Sequence, residues 1–172
     1  INTQTMNNRT LPQILLLVLV TLSLFSCSKE EVAPSGPVTF TQVNAKYNYT
    51  ADELEVLTLI NNYRASKGLN TLQKIDYIAT VAEGHDNYMI AVGQVSHNNF
   101  ADRHQALVTN LGAKTVSENV AYNYATPQGV FNAWMASDGH RLNMEGDFTH
   151  FGIAIRANAD GKKYYTNLFM KK

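Results

Sequence analysis

The 172-residue chain has a single cysteine, Cys27, so no disulfide can form within it. That excludes the cross-linked scaffolds on which many small secreted domains depend. Neither charge is in excess: 14 basic residues face 14 acidic ones, and no nucleic-acid partner is expected from that balance. Gly-x-Ser-x-Gly and His-Glu-x-x-His are both absent, which removes the nucleophile elbow and the helical zinc-protease pattern. There is no internal repeat and no low-complexity tract.

What is present begins with the front end. Met6 to Arg9 is a short positive segment, and Leu11 to Phe25 is mostly apolar. That run has about 15 residues against the roughly 20 of a membrane-spanning helix, so it fits a cleaved signal better than a single-pass anchor. Leu24-Phe25-Ser26-Cys27 is similar to a bacterial lipobox, whose cysteine is lipidated and becomes the mature N-terminus. Residues 1–27 therefore read as a signal peptide ending at Cys27, with residues 1–5 an over-extension of the reading frame ahead of Met6. Lys29-Glu30-Glu31 resembles the signal that exports lipoproteins of the Bacteroidetes type, a solvated charge cluster being the alternative. The expected place is the outer membrane, held through the lipid on Cys27 and exposed at the cell surface. Residues 28–49 carry Pro34, Gly36 and Pro37 without a helical period and read as a flexible tether.

The folded domain is expected over residues 50–172. Thr50-Ala51-Asp52-Glu53 has the capping-box pattern, and Leu54, Leu57, Ile60 and Tyr63 follow as a core stripe up to Gly68. A second helix is predicted from Ile75 to Val92, its stripe formed by Ile75, Ile78, Ala82, His85 and Met89, with Gly93 as its stop. His85 reads as a hydrogen-bonded core or edge histidine. A third helix is expected over 102–111, with His104 at the surface. Thr115 to Val120 is strand or loop. Thr126-Pro127 opens a fourth helix, whose apolar side is Val130, Phe131 and Trp134. Gly139 is expected to end it in the left-handed conformation, leaving His140 on a short fixed loop. Two alternating runs joined by Asp160-Gly161 predict a closing hairpin. Helices followed by antiparallel strands make an α+β domain.

Three separated segments present chemistry: Ser96-His97-Asn98, Ser117-Glu118-Asn119 and Ser137-Asp138-Gly139-His140. Two imidazoles and a carboxylate can form a metal site or an acid–base pair. They can equally brace a cleft wall by hydrogen bonds alone. Ser137, at a helix end, reads as a cap rather than a nucleophile.

Asn61-Asn62-Tyr63-Arg64, Ser96-His97, Ser117-Glu118-Asn119-Val120, Trp134-Met135-x-Ser137-x-Gly139-His140-Arg141 and Gly152-Ile153 occur in that order. Together they resemble the bacterial branch of the CAP superfamily, which includes cysteine-rich secretory, antigen 5 and pathogenesis-related proteins. The resemblance implies a three-layer α-β-α sandwich with a central antiparallel sheet and a large cleft. In that family a His-Glu-Glu-His tetrad can hold a divalent cation, often zinc. His97 matches the first His, Glu118 the first Glu and His140 the last His. Ser137 stands where the second Glu belongs, and Asp138 is the candidate fourth ligand.

These residues imply a surface module whose cleft takes a small ligand, lipid or peptide, with zinc as the expected cation if there is one. The alternative is a hydrolase using metal-bound water or a Glu118–histidine base, with Glu118 and His140 as the catalytic candidates. A monomer is expected.

Overall fold

The computed structural model describes Asn44 and residues 46–172. The signal peptide, Cys27, Lys29-Glu30-Glu31 and most of the tether lie outside the described residues. Among those described, no helix is long and apolar enough to cross a membrane.

Thr50 opens helix α1 (Ala51–Ser66) through a complete capping box: its hydroxyl accepts from Glu53 N, and the Glu53 side chain accepts from Thr50 N. The buried face of α1 keeps Leu57 and Ile60 of the predicted stripe but is rotated away from Leu54 and Tyr63. Leu54 is exposed and Tyr63 half-buried, while Val56, Leu57 and Ile60 are buried together with two charged residues, Glu53 and Arg64. Both charges are engaged. Glu53 Oε1 accepts from Tyr47 Oη, Ile155 N and Arg156 Nη1 at 2.8–2.9 Å. Arg64 Nη1 donates to the carbonyls of Met144 and Gly146, and its Nε to that of Asn70. Tyr47 is itself buried, so the end of the predicted tether packs onto the domain.

A two-residue strand, β1 (Gln73–Lys74), leads into helix α2 (Asp76–Val92), which Gly93 ends at φ +68° as expected. Helix α3 (Phe100–Leu111) starts two residues earlier than predicted, because Asn99 adopts a left-handed φ of 59° and turns the chain into it. Thr115 to Val120 belongs to strand β2 (Thr115–Tyr122). Helix α4 (Pro127–Ala136) has Thr126 as its cap.

Gly139 does not stop α4. The break comes at Ser137, which is extended, and helix α5 (Asp138–Glu145) begins at the next residue. His140 therefore lies in the first turn of a helix rather than on a loop. Strands β3 (His150–Ala157) and β4 (Lys163–Lys171) form the expected hairpin.

The sheet order is β1-β3-β4-β2. Its three long strands are antiparallel, and β1 joins parallel to β3, so the sheet is mixed rather than wholly antiparallel. One face packs against α1, α4 and α5 through a core that includes Ile60, Trp134, Met144, Phe151 and Phe169. The other packs against α2 and α3 through Ile78, Val81, Leu107, Leu168 and Met170. This is the three-layer α-β-α arrangement, with β2 as its outer long strand.

Candidate functional site

Strand β2 is buried on both faces, and its alternation sorts the site residues. Val116 and Val120 face the α2–α3 layer, and Glu118 lies on the same side. Asn119 and Ala121 face α4 and α5. Glu118 is thus aimed at the loop between α2 and α3, which carries His97.

Three donors meet that carboxylate. His97 Nδ1 lies 2.8 Å from Glu118 Oε1. Arg103, one turn into α3, sends Nε to Oε2 at 2.6 Å and Nη2 to Oε1 at 2.7 Å. Its Nη1 donates to the Asn98 carbonyl at 2.7 Å, so the same guanidinium ties down the His97 loop. Arg103 and Glu118 are both buried. Burial works to raise the Glu118 carboxyl, but the hydrogen bonds from His97 and Arg103 outweigh it and hold the group below the usual carboxylate range. An ionised carboxylate only accepts, so His97 carries a proton on Nδ1 and turns Nε2 away from Glu118. At the start of the loop, His85 donates from Nε2 to the Ser96 carbonyl at 2.7 Å, the structural part expected of it. Burial, followed by the Arg103 charge, pushes His85 towards its neutral form.

His140 comes from the opposite layer. Its Nδ1 is 2.8 Å from Ser137 Oγ, so the serine turns its hydroxyl to the ring instead of capping α5. The backbone of α5 is fixed to β2: Asn119 Nδ2 donates to the His140 carbonyl at 3.0 Å, and Asn143 Nδ2 to that of Glu118 at 3.1 Å. Burial first, and then the neighbouring His97, lower the His140 pKa, so its ring is neutral at pH 7.

The two histidines line one hollow of about 380 Å³ over the edge of β2, walled also by Val95, Tyr122, Tyr124 and Trp134. A second hollow of about 190 Å³ shares His97 as a wall and continues along β2 past Glu118, Ser117 and Val116 to Phe100. Val95, Tyr122 and Tyr124 are among the few large apolar side chains left exposed, and all three line the first hollow.

The fold therefore brings His97 and His140 to one cleft, with Glu118 behind His97. Asp138 does not join them: its side chain is 84% exposed and pairs with Arg141 at 3.0 Å. Among the described residues no three His, Cys, Asp or Glu side chains are grouped to hold an ion. The donor chemistry agrees, because Glu118 already accepts three hydrogen bonds, one from His97 and two from the Arg103 guanidinium, and Ser137 is turned to His140. The predicted set of His97, Glu118 and His140 does not fit a three-ligand zinc site; two imidazoles remain. Arg103 is the site residue that sequence reasoning missed. Its one signal was an arginine in the first turn of a helix just after a histidine-bearing loop.

The model of the cysteine-rich secretory protein family, CAP, matches residues 57–169. Two Bacillus subtilis (strain 168) proteins are similar in sequence. The uncharacterized membrane protein YlbC is 31% identical over 129 residues, which make up 72% of this chain and 35% of that protein. The uncharacterized protein YkwD is 28% identical over 136 residues, 74% of this chain and 53% of that one. The chain thus spans only part of the length of the curated relatives it matches. Among solved structures, an outer surface protein from Borrelia burgdorferi superposes with a TM-score of 0.65 at 20% identity, over 74% of this chain and 98% of its own. An extracellular protein containing an SCP domain from Bacillus anthracis gives 0.61 at 27% identity, over 70% and 40%.

Proposed function

The chain belongs to the cysteine-rich secretory protein (CAP) family, and from that premise we propose that it is a surface-anchored binding module whose cleft takes an uncharged, extended ligand, a lipid or a peptide segment. The observation that carries this reading is the pair of hollows sharing His97, which together follow β2 from Val116 to Tyr122. The larger one is mainly apolar and aromatic, its polar groups come from two imidazoles, Ser96 and two tyrosines, and no Asp, Glu, Lys or Arg lines it. Such a lining favours apolar chains with a few polar groups over ions. Lipidation at Cys27 and an outward-facing position at the outer membrane complete the reading, supported by the lipobox-like sequence.

One arrangement favours a second reading. A buried carboxylate holding Nδ1–H of His97, with Nε2 left for the cleft, is the layout of a general base. Ser137 supplies no nucleophile to match it, since it lines neither hollow.

One experiment separates the two. The domain, residues 46–172, is incubated with neutral lipids, neutral oligosaccharides and a peptide pool, with added zinc or with EDTA. Binding is followed by shifts of the His97 and His140 ring resonances, and turnover by mass spectrometry. Ring shifts that saturate without new products support the binding module, whereas products lost in His97→Ala support the hydrolase. Failure of every class to shift either ring sinks the binding reading.

A further inference from the structure

We infer that Arg103 is a positioning residue that acts as the resident cation of this cleft, keeping Glu118 as the outer partner of His97 and unavailable to any ion the two imidazoles hold. The guanidinium meets both carboxylate oxygens, at 2.6 and 2.7 Å, the two-point geometry that suits arginine and carboxylate best. Arg103 is 3% exposed and Glu118 5%, so the pair is out of water. Turning Glu118 away to ligate an ion would strand the guanidinium in a low-dielectric site, which is heavily penalised. It would also break the His97 Nδ1 contact at 2.8 Å that sets the ring's tautomer. A further guanidinium contact, to Asn98 O at 2.7 Å, holds the loop at the same time. Charge balance at Glu118 is therefore complete without a metal. What Glu118 retains is the part a carboxylate plays behind a metal-binding histidine, orienting the ring from outside.

The consequence has an unusual sign: removing a buried cation should improve cation binding. Without Arg103, Glu118 is a buried carboxylate lacking its counter-charge, in contact with the His97 ring and released from the guanidinium that holds it in place. An uncompensated buried carboxylate draws a cation to the imidazole beside it.

Co(II) and Zn(II) are titrated into the detergent-solubilised full chain as wild type, Arg103→Gln and Arg103→Gln/Glu118→Gln, with near-UV circular dichroism as the check of folding. The wild type should bind weakly. Arg103→Gln should gain at least about tenfold in affinity, the scale on which partner changes act at metal sites, and the double variant should lose the gain. Equal or weaker binding by folded Arg103→Gln overturns the inference, as does a gain that survives loss of Glu118. If Arg103→Gln does not fold, the wild type decides alone: a shift of the Glu118 carboxylate infrared bands, assigned with Glu118→Gln, on stoichiometric Zn(II) binding overturns it, and titration that leaves those bands in place sustains it.

Discussion

Trp134 donates its indole N–H to the carbonyl of Val120 across 3.2 Å, so a side chain of α4 closes part of the outer edge of β2. Asn143 of α5 does the same for the carbonyl of Glu118. An edge strand normally offers unpaired backbone groups to another chain, and these two side chains block that use of β2. Trp134 is also 1% exposed and central to the α1–α4–α5 core. Trp134→Ala should cost about 3–5 kcal/mol, a large part of the roughly 5–15 kcal/mol that holds a domain together. Trp134→Phe keeps most of the apolar burial and drops the hydrogen bond, for a smaller loss of about 1–2 kcal/mol. Urea melts of both variants test the order; a Trp134→Phe variant as stable as wild type would mean that the edge contact carries nothing, and equal losses that the ring's apolar burial does not matter.

Local rules made much of this fold legible. The capping box at Thr50, the Thr126-Pro127 start and the glycines after α1, α2 and α3 are each decided by a few neighbouring residues. Gly139 does not end α4 because Asp138-Gly139 suits a helix stop and the first turn of a new helix alike; Ser137 in extended conformation selects the second. Strand β1 has two residues and shows no period. Glu53, Arg64 and Arg103 were illegible for a common reason. A charge at a helical position reads as solvated surface until its partner is known, and the distant partners that bury these three, Arg156, Met144 and Glu118, lie 103, 80 and 15 residues away. His97 and His140 were legible as residues, but their meeting across the edge of β2 depends on two layers packing on one sheet.

Gly139 and Gly152 should respond to alanine with opposite signs. A Cβ on Gly139 would meet nothing within 4 Å, inside helix α5. Gly139→Ala should therefore stabilise by about 0.5–1 kcal/mol through helix propensity. A Cβ on Gly152 would lie 2.5 Å from Ala79 N and 2.8 Å from the Ile78 carbonyl carbon, both backbone atoms of α2. Helix and strand would have to separate, at a cost of about 1–3 kcal/mol or more. Thermal melts read both; a stabilised Gly152→Ala would contradict the close α2–β3 packing.

Lipid anchoring at Cys27 is tested by fractionation. Cys27→Ser should leave the membrane fraction or stall before processing, with loss of label from a lipid precursor. Replacing Lys29-Glu30-Glu31 by alanines should preserve lipidation and remove access to external protease. Unchanged membrane association and labelling in Cys27→Ser would end the lipoprotein reading.

Two buried carboxylates on the α2–α3 side should titrate stability in opposite directions. Asp86 is fully buried; Thr166 donates to its Oδ1 at 2.6 Å, and its Oδ2 has no partner. Burial raises its pKa well above the usual 3.8, against the smaller opposing effect of Thr166. The folded chain then holds a proton that the unfolded chain releases, so the contribution is full below about pH 4 and is lost as pH rises through the folded value. Asp86→Asn keeps the contact and has no proton to lose; it should be more stable than wild type at pH 8, with the gap closing towards pH 4. Glu118 behaves inversely, its pKa lying below the usual 4.5 despite burial, because His97 and Arg103 favour the charged form. Its contribution is full above about pH 4.5 and is lost as pH falls through the lowered folded value. Glu118→Gln should therefore be less stable than wild type at pH 7, by an amount that shrinks in acid. Urea midpoints at pH 3.5, 5, 7 and 8 give both differences. Curves that run parallel to wild type for Asp86→Asn would show that Asp86 is ionised in the fold, and parallel curves for Glu118→Gln would show that Arg103 and His97 do not hold its charge.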